Sequence, residues 1–344
     1  MESHLRAIQN EGKIDLTYLT LVSKNALFFM SQDRHLELRN KVLKHIGPAK
    51  MKKWEQIIDQ IINEQINSIT ETTSVDLIKQ FTYPLYRKAT QRLLGVNSSN
   101  PENFEYWVTR LQELLEPLLP IRTLKQMEVA FKDLIIQLKA GNSLKEEINE
   151  NPPSLLSELL NWNNPKFNQD DIFSAVLVLY GASINVSQTL ANIIYHLLSA
   201  PNSIRESASD PKWVKNNLEY LIKIGASPKY VHRIATKDQK FGEYFIAEKD
   251  NVLLDLPAIH SNGCPYQNSE KWEENILQKK FHLAFGQGIH YCVGAGYSRF
   301  IIRKAIPVLF NKFKNIDLQS KTPDLGNLNQ AVSLNSLFVT FKNI

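Results

Sequence analysis

Apolar residues recur at intervals of three and four residues along most of the chain. The segments KMKKWEQIIDQIINEQINSI (50–69) and SVDLIKQFTYPLYRKATQRLLG (74–95) show this spacing most clearly. One face of an α-helix carries positions with that spacing, so both segments predict amphipathic helices. Gly95 and the polar run that follows it predict the end of one helix and the N-cap of the next.

Segments typical of strands come late in the chain. They are KFGEYFIA (240–247), NVLLDL (251–256) and SLFVTFK (336–342), which are rich in β-branched and aromatic residues. The pattern therefore predicts a mainly helical protein with a small β component. Because no repeat and no clean linker interrupts it, we expect one domain over residues 1–344.

No charged side chain occurs from Ile172 to Ile204, and most of this segment is predicted to form one helix. It opens with Asn168 and Asp171 in the positions of an N-cap and its N3 partner, and it ends before Pro201. A helix without a charged face is usually buried on every side. Small residues at 181–183 leave room for a close approach, either by another helix or by a ligand.

Composition excludes several classes of protein. The chain has 344 residues, of which 43% are hydrophobic and 22% charged, and a net charge of only +5, which does not argue for a nucleic-acid partner. Two cysteines cannot build a disulfide framework. The N-terminus lacks the apolar core of a signal peptide, and no run of about 18 apolar residues predicts a membrane span. These features favour a soluble, cytoplasmic protein without a membrane partner.

The candidate chemistry lies in the segment FGQGIHYCVGAG (285–296). It places Cys292 in an uncharged loop with Gly286 and Gly288, and a helical pattern begins at the cysteine. Unpaired N–H groups at a helix N-terminus stabilise a thiolate. The sequence therefore predicts a reactive or metal-ligating sulfur in a loop that leaves space beside it.

Three interpretations of this sulfur are open from the residues alone. A catalytic thiol would need a base, for which His290 is the nearest candidate in sequence. A zinc site would recruit His260, Cys264, His290 and Cys292, although their spacings differ from the usual zinc pairs. Ligation of haem iron by the thiolate would explain why glycines line the loop.

The loop resembles the haem-binding signature of the cytochrome P-450 family. Its residues Phe285, Gly288, Cys292 and Gly294 satisfy F-x-x-G-x-x-x-C-x-G. The segments DRHLELRNKV, DLIKQFTYPLYRKATQRLLGV and VHRIATKDQKFGEYFIAEKDNVLL resemble further parts of the family, in the same order. This resemblance implies a mainly α cytochrome P-450-like fold, with a long central I helix over the haem and a reduced β region. It also implies that the usual first helix and early strands are missing.

The resemblance implies a role for each matched position. Cys292 would be the axial ligand of haem b, Phe285 would pack near its sulfur, and Gly294 would let the next helix pass close to the haem. The propionate partners would be His35, Arg39, Arg233 and His290. The distal and substrate-facing candidates, from the central helix, would be Leu179, Tyr180, Ala182, Ile184 and Asn185.

The sequence departs from the family pattern in two networks. The E-x-x-R pair is missing, and Glu219, Lys223 and Lys271 are the candidates to replace it. The acid–alcohol pair of the I helix is also missing, because Ile184 and Asn185 stand at those positions. Asn185 can still donate a hydrogen bond to a distal ligand or hold a water. Cys264, in the loop AIHSNGCP, is expected to be a bystander.

Three functions follow as hypotheses. The first is a haem-thiolate monooxygenase that oxidises a small organic molecule, with electrons from an acidic ferredoxin or flavodoxin docked on the basic residues after Cys292. The second is a peroxide-driven or redox-neutral haem enzyme, which needs no proton relay to dioxygen. The third is a non-catalytic binding protein with the same fold.

Overall fold

Helices dominate the fold, which we describe from a computed structural model over residues 2–12, 14–30, 32–70, 74–116, 119–143, 151–261, 282–326 and 330–341. Over these residues the α-helices are α1 (Glu2–Gly12), α2 (Thr17–Asn25), α3 (Gln32–Ile46), α4 (Pro48–Asn67), α5 (Tyr83–Leu94), α6 (Pro101–Val108), α7 (Ile121–Ser143), α8 (Leu155–Leu160), α9 (Gln169–Ala182), α10 (Ile184–Ser199), α11 (Asn202–Ser207), α12 (Pro211–Gly225), α13 (Leu256–Ser261) and α14 (Ala295–Lys312). Shorter 3₁₀ and π segments are Ile78–Thr82, Thr109–Leu115 and Gly288–His290.

The strands are short and pair antiparallel. They are β1 (Val75–Asp76), β2 (Tyr230–Ile234), β3 (Gln239–Phe241), β4 (Tyr244–Ile246), β5 (Asn251–Asp255), β6 (Ile316–Leu318), β7 (Asp324–Leu325), β8 (Leu334–Ser336) and β9 (Phe338–Phe341). One sheet has the order β1-β9-β6, and the pairs β2-β5, β3-β4 and β7-β8 form two-stranded sheets. The three late strand predictions are confirmed, since β4, β5 and β9 lie within those segments and β3 begins one residue before the first of them.

The helix prediction for residues 74–95 is partly wrong. The helix α5 occupies only its second half, and Val75 begins a strand that pairs with Val339. The prediction failed because the partner strand lies at the far end of the chain, so that no local pattern reports it.

Gly95 does end α5, with a φ of +78°, and Asn100 caps α6 by accepting from the N–H of Asn103.

The charge-free segment forms two consecutive helices. The predicted capping box is confirmed, because Asn168 accepts from the N–H of Asp171 and Asp171 accepts from the N–H of Asn168. The segment is interrupted at Ser183, whose hydroxyl donates to the carbonyl oxygen of Leu179 over 2.7 Å. A serine hydroxyl that bonds back to its own helix competes with the backbone pattern there. The second of the two helices, α10, ends at Ser199, before Pro201 as predicted.

The chain divides into two compact units. The first comprises Met1–Glu64, Tyr83–Ile184 and Val293–Phe300, and the second comprises Gln65–Thr82, Asn185–Cys292 and Ile301–Ile344. Among the described helices, the stretch Gln169–Ser199 has the length and composition to cross a membrane, but 72% of its most apolar window is buried. That burial is expected of a helix in a protein core.

Candidate functional site

The Cys292 loop of the second unit is closed by main-chain hydrogen bonds. The N–H of Cys292 donates to the carbonyl oxygen of Phe285 over 2.8 Å, and the N–H of Tyr291 donates to that of Gly288 over 3.0 Å. The N–H of Gly286 donates to Leu283 over 2.8 Å. Because these bonds hold both ends of the loop together, the cysteine has a defined position.

Two glycines give the loop its shape and its open side. Gly286 and Gly288 have φ values of +68° and +81°, which an L side chain rarely adopts. A Cβ atom added at either glycine would meet no protein atom within 4 Å. The loop therefore presents bare backbone to open space, which is the surface that a flat ligand needs.

Cys292 lies half-buried, and it is not in a disulfide bond. The helix α14 begins at Ala295 and not at the cysteine, so the predicted helix start is corrected by three residues. A turn over Val293 and Gly294 separates the sulfur from the helix, and Gly294 is half-buried within it.

A pair of histidines supports this loop, a role that the sequence indicated for neither of them. Nε2 of His282 lies 2.9 Å from Oε2 of Glu219 on α12, so the imidazole donates to the carboxylate. The N–H of Leu283 donates to Nε2 of His260 on α13, also over 2.9 Å. The sequence directed Glu219 toward Lys223 and Lys271; Lys271 and Cys264 lie outside the described residues. The available signal was His260 in AIHS, which the residues suggested only as a zinc ligand.

Burial and charge keep His260 neutral. Burial, followed by the neighbouring His282 and Lys223, lowers its pKa to about 4, against the opposing effect of a hydrogen bond to the backbone of Lys223. A neutral imidazole has one donor and one acceptor nitrogen. The acceptor nitrogen of His260 faces Leu283, so its other nitrogen carries the proton.

The four candidate propionate partners occupy two kinds of position. His35 and Arg39 lie four residues apart on one face of α3 in the first unit, with His35 fully buried and Arg39 half-buried. In the second unit Arg233 is exposed on β2 and His290 is exposed at the end of the segment Gly288–His290. The Arg233 guanidinium donates to the carbonyl oxygen of His232 over 2.8 Å.

The three candidates from α9 differ in exposure. Leu179 is half-buried and Ala182 is exposed. Tyr180 is fully buried and stacks on Tyr86, and its hydroxyl donates to Glu105 over 2.7 Å. Burial raises the pKa of Tyr180 far above its ordinary value, so the phenol stays protonated. Its ring therefore serves the core of the first unit.

At the start of α10, Ile184 is buried and Asn185 is half-buried. The Ser227 hydroxyl donates to Oε1 of Gln188 over 2.6 Å and lies 3.4 Å from Oδ1 of Asn185. Since the amide oxygen of Asn185 faces Ser227, its NH₂ group points away from that hydroxyl. Asn185 thus offers a donor in a stretch, 179–185, that has no ionisable carboxylate.

The described residues contain no group of three or more His, Cys, Asp or Glu side chains placed to hold a metal ion. The zinc interpretation also needs Cys264, which is outside them. A haem iron differs from a zinc ion in this respect, because the macrocycle supplies four of its ligands and the protein needs to supply a single sulfur.

Known proteins decide between the interpretations. The family model described as Cytochrome P450 matches residues 222–338, which include the Cys292 loop, His260 and His282. YjiB of Bacillus subtilis, a putative cytochrome P450, is 27% identical over 308 residues, covering 87% of this chain and 76% of YjiB. Together these matches support a cytochrome P450.

Further relatives agree with this family and its fold. The 6-deoxyerythronolide B hydroxylase of Saccharopolyspora erythraea is 23% identical over 292 residues, covering 85% of this chain and 71% of the hydroxylase. P450BioI, solved in complex with an acyl carrier protein ligated to hexadec-9Z-enoic acid, matches with a TM-score of 0.82 at 18% identity, over 95% of this chain and 85% of that one. The mainly α cytochrome P450 fold is therefore confirmed.

Members of the cytochrome P450 family bind haem b, and the residues of this chain fit it. The open space beside Gly286 and Gly288 suits a flat macrocycle, and the half-buried sulfur of Cys292 would supply a soft ligand. The cytochrome P450 family comprises oxidoreductases that act on small molecules and receive electrons from redox partners.

Proposed function

We propose that this chain is a haem-thiolate monooxygenase that oxidises a small organic molecule, with Cys292 as the iron ligand. The observation that carries the proposal is the closed loop from Phe285 to Cys292, whose two positive-φ glycines face open space. Bound haem with a thiolate ligand supplies the chemistry of oxygen activation, because the thiolate pushes electron density toward O–O cleavage.

The other residues bind and orient. Phe285 would shield the sulfur, and Gly294 would let the chain after the cysteine pass close to the macrocycle. His35, Arg39, Arg233 and His290 would donate to the two propionates as charge-assisted hydrogen bonds. Leu179, Ala182 and Ile184 would form an apolar substrate surface, with the NH₂ group of Asn185 as its polar donor.

A redox partner and a compartment complete the proposal. Lys312 at the end of α14 and Lys314 just after it are exposed, and they would attract an acidic ferredoxin or flavodoxin. The reaction R–H + O₂ + 2e⁻ + 2H⁺ → R–OH + H₂O needs these electrons. We place the enzyme in the cytoplasm, where such partners are reduced.

Absorption spectra of the reduced, carbon monoxide-treated protein test the proposal, with the other cysteine as a matched control. Wild-type protein and Cys264→Ser should both show the strongly red-shifted Soret band of thiolate ligation. Cys292→Ser should lose that band entirely while remaining folded by circular dichroism. A wild-type protein that takes up no hemin would overturn the proposal and favour the non-catalytic binding protein.

A second candidate function rests on the distal stretch. Ile184 is buried and the Ser183 hydroxyl is committed to Leu179, so no side chain there offers a carboxylate or an unengaged hydroxyl for a proton relay. Peroxide brings its own protons, as R–H + H₂O₂ → R–OH + H₂O, and redox-neutral chemistry needs no oxidant. Turnover with hydrogen peroxide in the absence of any reductase, faster than turnover with dioxygen and a reductase, would select this candidate.

A further inference from the structure

The segment 282–284 is held on both sides by the rings of His260 and His282. Nε2 of His260 accepts from the N–H of Leu283 over 2.9 Å, and its other nitrogen bonds the backbone of Lys223. The ring thus joins the end of α12 to the chain that leads into the Cys292 loop.

His282 makes the complementary arrangement. Its Nε2 donates to Oε2 of Glu219 over 2.9 Å, and its Nδ1 accepts from the N–H of Ala284 over 3.2 Å. Only 6% of its side chain is exposed. The two imidazole centroids are 6.2 Å apart with their planes at 86°, so the rings pack edge to face.

These contacts require both rings to be neutral. Each ring uses one nitrogen as a donor and the other as an acceptor of a main-chain N–H. An imidazolium has two donors and no acceptor, so protonation would set a donor against the N–H of Leu283 or of Ala284. Among the described residues, the charged groups that interact with the pair include the carboxylate of Glu219 and the ammonium of Lys223, both from α12.

The pair is linked to the cysteine by a short series of contacts. The carbonyl oxygen of Leu283 accepts from Gly286, and the ring of His282 lies 5.8 Å from that of Phe285. The carbonyl oxygen of Phe285 in turn accepts from the N–H of Cys292. Displacement of Leu283 would therefore shift the residue to which the cysteine amide is bonded.

We propose that Glu219, His260 and His282 form a positioning cluster, the histidine clamp, which holds the Phe285–Cys292 loop in the geometry that presents the sulfur to iron. Its role toward haem rests on the proposed function above. These are positioning residues, because their hydrogen bonds reach the Cys292 loop through the main chain of Leu283 and Ala284. The clamp uses neutral imidazole rings where a charged arginine fork would be the alternative.

The test compares full-length variants by two readouts. The first is hydrogen exchange of the amides in 283–292 in the protein without hemin, with the amides of α10 as an internal reference for global unfolding. The second is the fraction of the ferrous–carbon monoxide absorption at the red-shifted position after hemin is added. The variants are His260→Ala, His282→Ala and Glu219→Ala, and the control is His232→Gln, an exposed histidine of β2 in the same unit.

We expect each of the three alanine variants to raise exchange of the loop amides about tenfold relative to α10, because a main-chain donor loses its acceptor or the ring that supplies it is released. We expect each also to lower the red-shifted fraction. Glu219→Gln and His282→Gln keep the acceptor and the donor of their shared bond, so each should restore most of both readouts. His232→Gln should match the wild type.

The clamp is overturned if the alanine variants exchange like His232→Gln. It is also overturned if their loop and α10 amides accelerate equally, because that result describes global destabilisation. A wild-type protein without a red-shifted band would overturn only the proposed function. The clamp would still be tested by hydrogen exchange of the loop amides, which is measured in the hemin-free protein.

Discussion

Leu111 packs so closely against Gly181 that a Cβ atom at position 181 would lie 2.4 Å from its Cδ1 and 2.6 Å from its Cβ. The glycine of the charge-free helix therefore makes room for a side chain of the first unit. From the sequence, the small residues at 181–183 could allow the close approach of either another helix or a ligand. At Gly181 the approaching group is a leucine, whereas Ala182 is exposed.

Gly181→Ala should lower the free energy of unfolding by about 1–2 kcal/mol. Overpacking typically costs about 1–3 kcal/mol, and the better helix propensity of alanine returns up to about 1 kcal/mol. Urea unfolding measures this, with Gly296→Ala as the control, because a Cβ there would meet only Ile46 O at 3.7 Å. The double variant Gly181→Ala/Leu111→Ala should lose about 1 kcal/mol less stability than the sum of the losses of the two single variants. Additive costs would show that the contact is not strained.

Gly288→Ala should weaken hemin retention beyond its effect on stability. Its φ of +81° makes a Cβ cost about 1–2 kcal/mol, and the added methyl group enters the open side of the loop. Gly242→Ala is the matched control, since Gly242 has a φ of +60°, equally open surroundings and a place in the β3–β4 turn. Both variants should lose similar stability, but only Gly288→Ala should transfer hemin to a scavenger globin faster, by about tenfold, equivalent to about 1.4 kcal/mol. Equal hemin-transfer rates for the two variants would show that haem does not bind on that side of the loop.

Local signals carried most of the successful predictions. The capping box of Asn168 and Asp171 spans four residues, and the β3–β4 hairpin is a contiguous segment, so each is readable from neighbouring letters. The strand at Val75 and the Glu219–His282 bond depend on partners far along the chain. Helical spacing directed Glu219 toward Lys223, because the i, i+4 rule describes only contacts within one helix.

The signature of the loop was readable for a different reason. Phe285, Gly288 and Cys292 lie within eight positions, and the main-chain bonds that close the loop fall inside the same segment. The exact start of α14 was not readable, since the turn over Val293 and Gly294 has the same small and apolar letters as a first helical turn. The residue pattern thus singled out Cys292 as the candidate ligand but did not indicate the residues that hydrogen-bond to the segment before its loop.

Stability should fall as the pH falls from about 6.5 to about 4. His196 is fully buried, and burial lowers its pKa from 6.5 to about 4, against a hydrogen bond to the backbone of Ile224. In this window the unfolded chain binds a proton that the folded chain excludes, so the free energy of unfolding decreases with acidification and levels off below pH 4. The full contribution of this group is about 3 kcal/mol. His260, with a pKa of about 4, acts in the same direction.

Urea unfolding from pH 7 to pH 4 measures this dependence. His196→Gln removes one titrating group, so its stability should be lower at pH 7 but should change less with pH than that of the wild type. His232→Gln, at an exposed site, should reproduce the wild-type slope. A His196→Gln profile parallel to the wild type would mean that the buried imidazole does not set the acid limit.

Asn185→Asp should shift the balance between the two candidate reactions. The carboxylate has the shape of the amide and keeps an oxygen toward the Ser227 hydroxyl, which lies 3.4 Å away, so the local packing is preserved. It adds a proton-carrying group to a distal stretch that has none, and general acid catalysis contributes about 10²–10⁴-fold where proton transfer limits the rate. Turnover with dioxygen and a reductase should rise relative to peroxide-driven turnover, by about tenfold or more. Gln188→Glu adds the same charge one turn along α10, at the other acceptor of Ser227, and should leave that ratio unchanged. If Gln188→Glu raises the ratio as much as Asn185→Asp does, the effect is one of general charge, and Asn185 has no special position on the path of the proton.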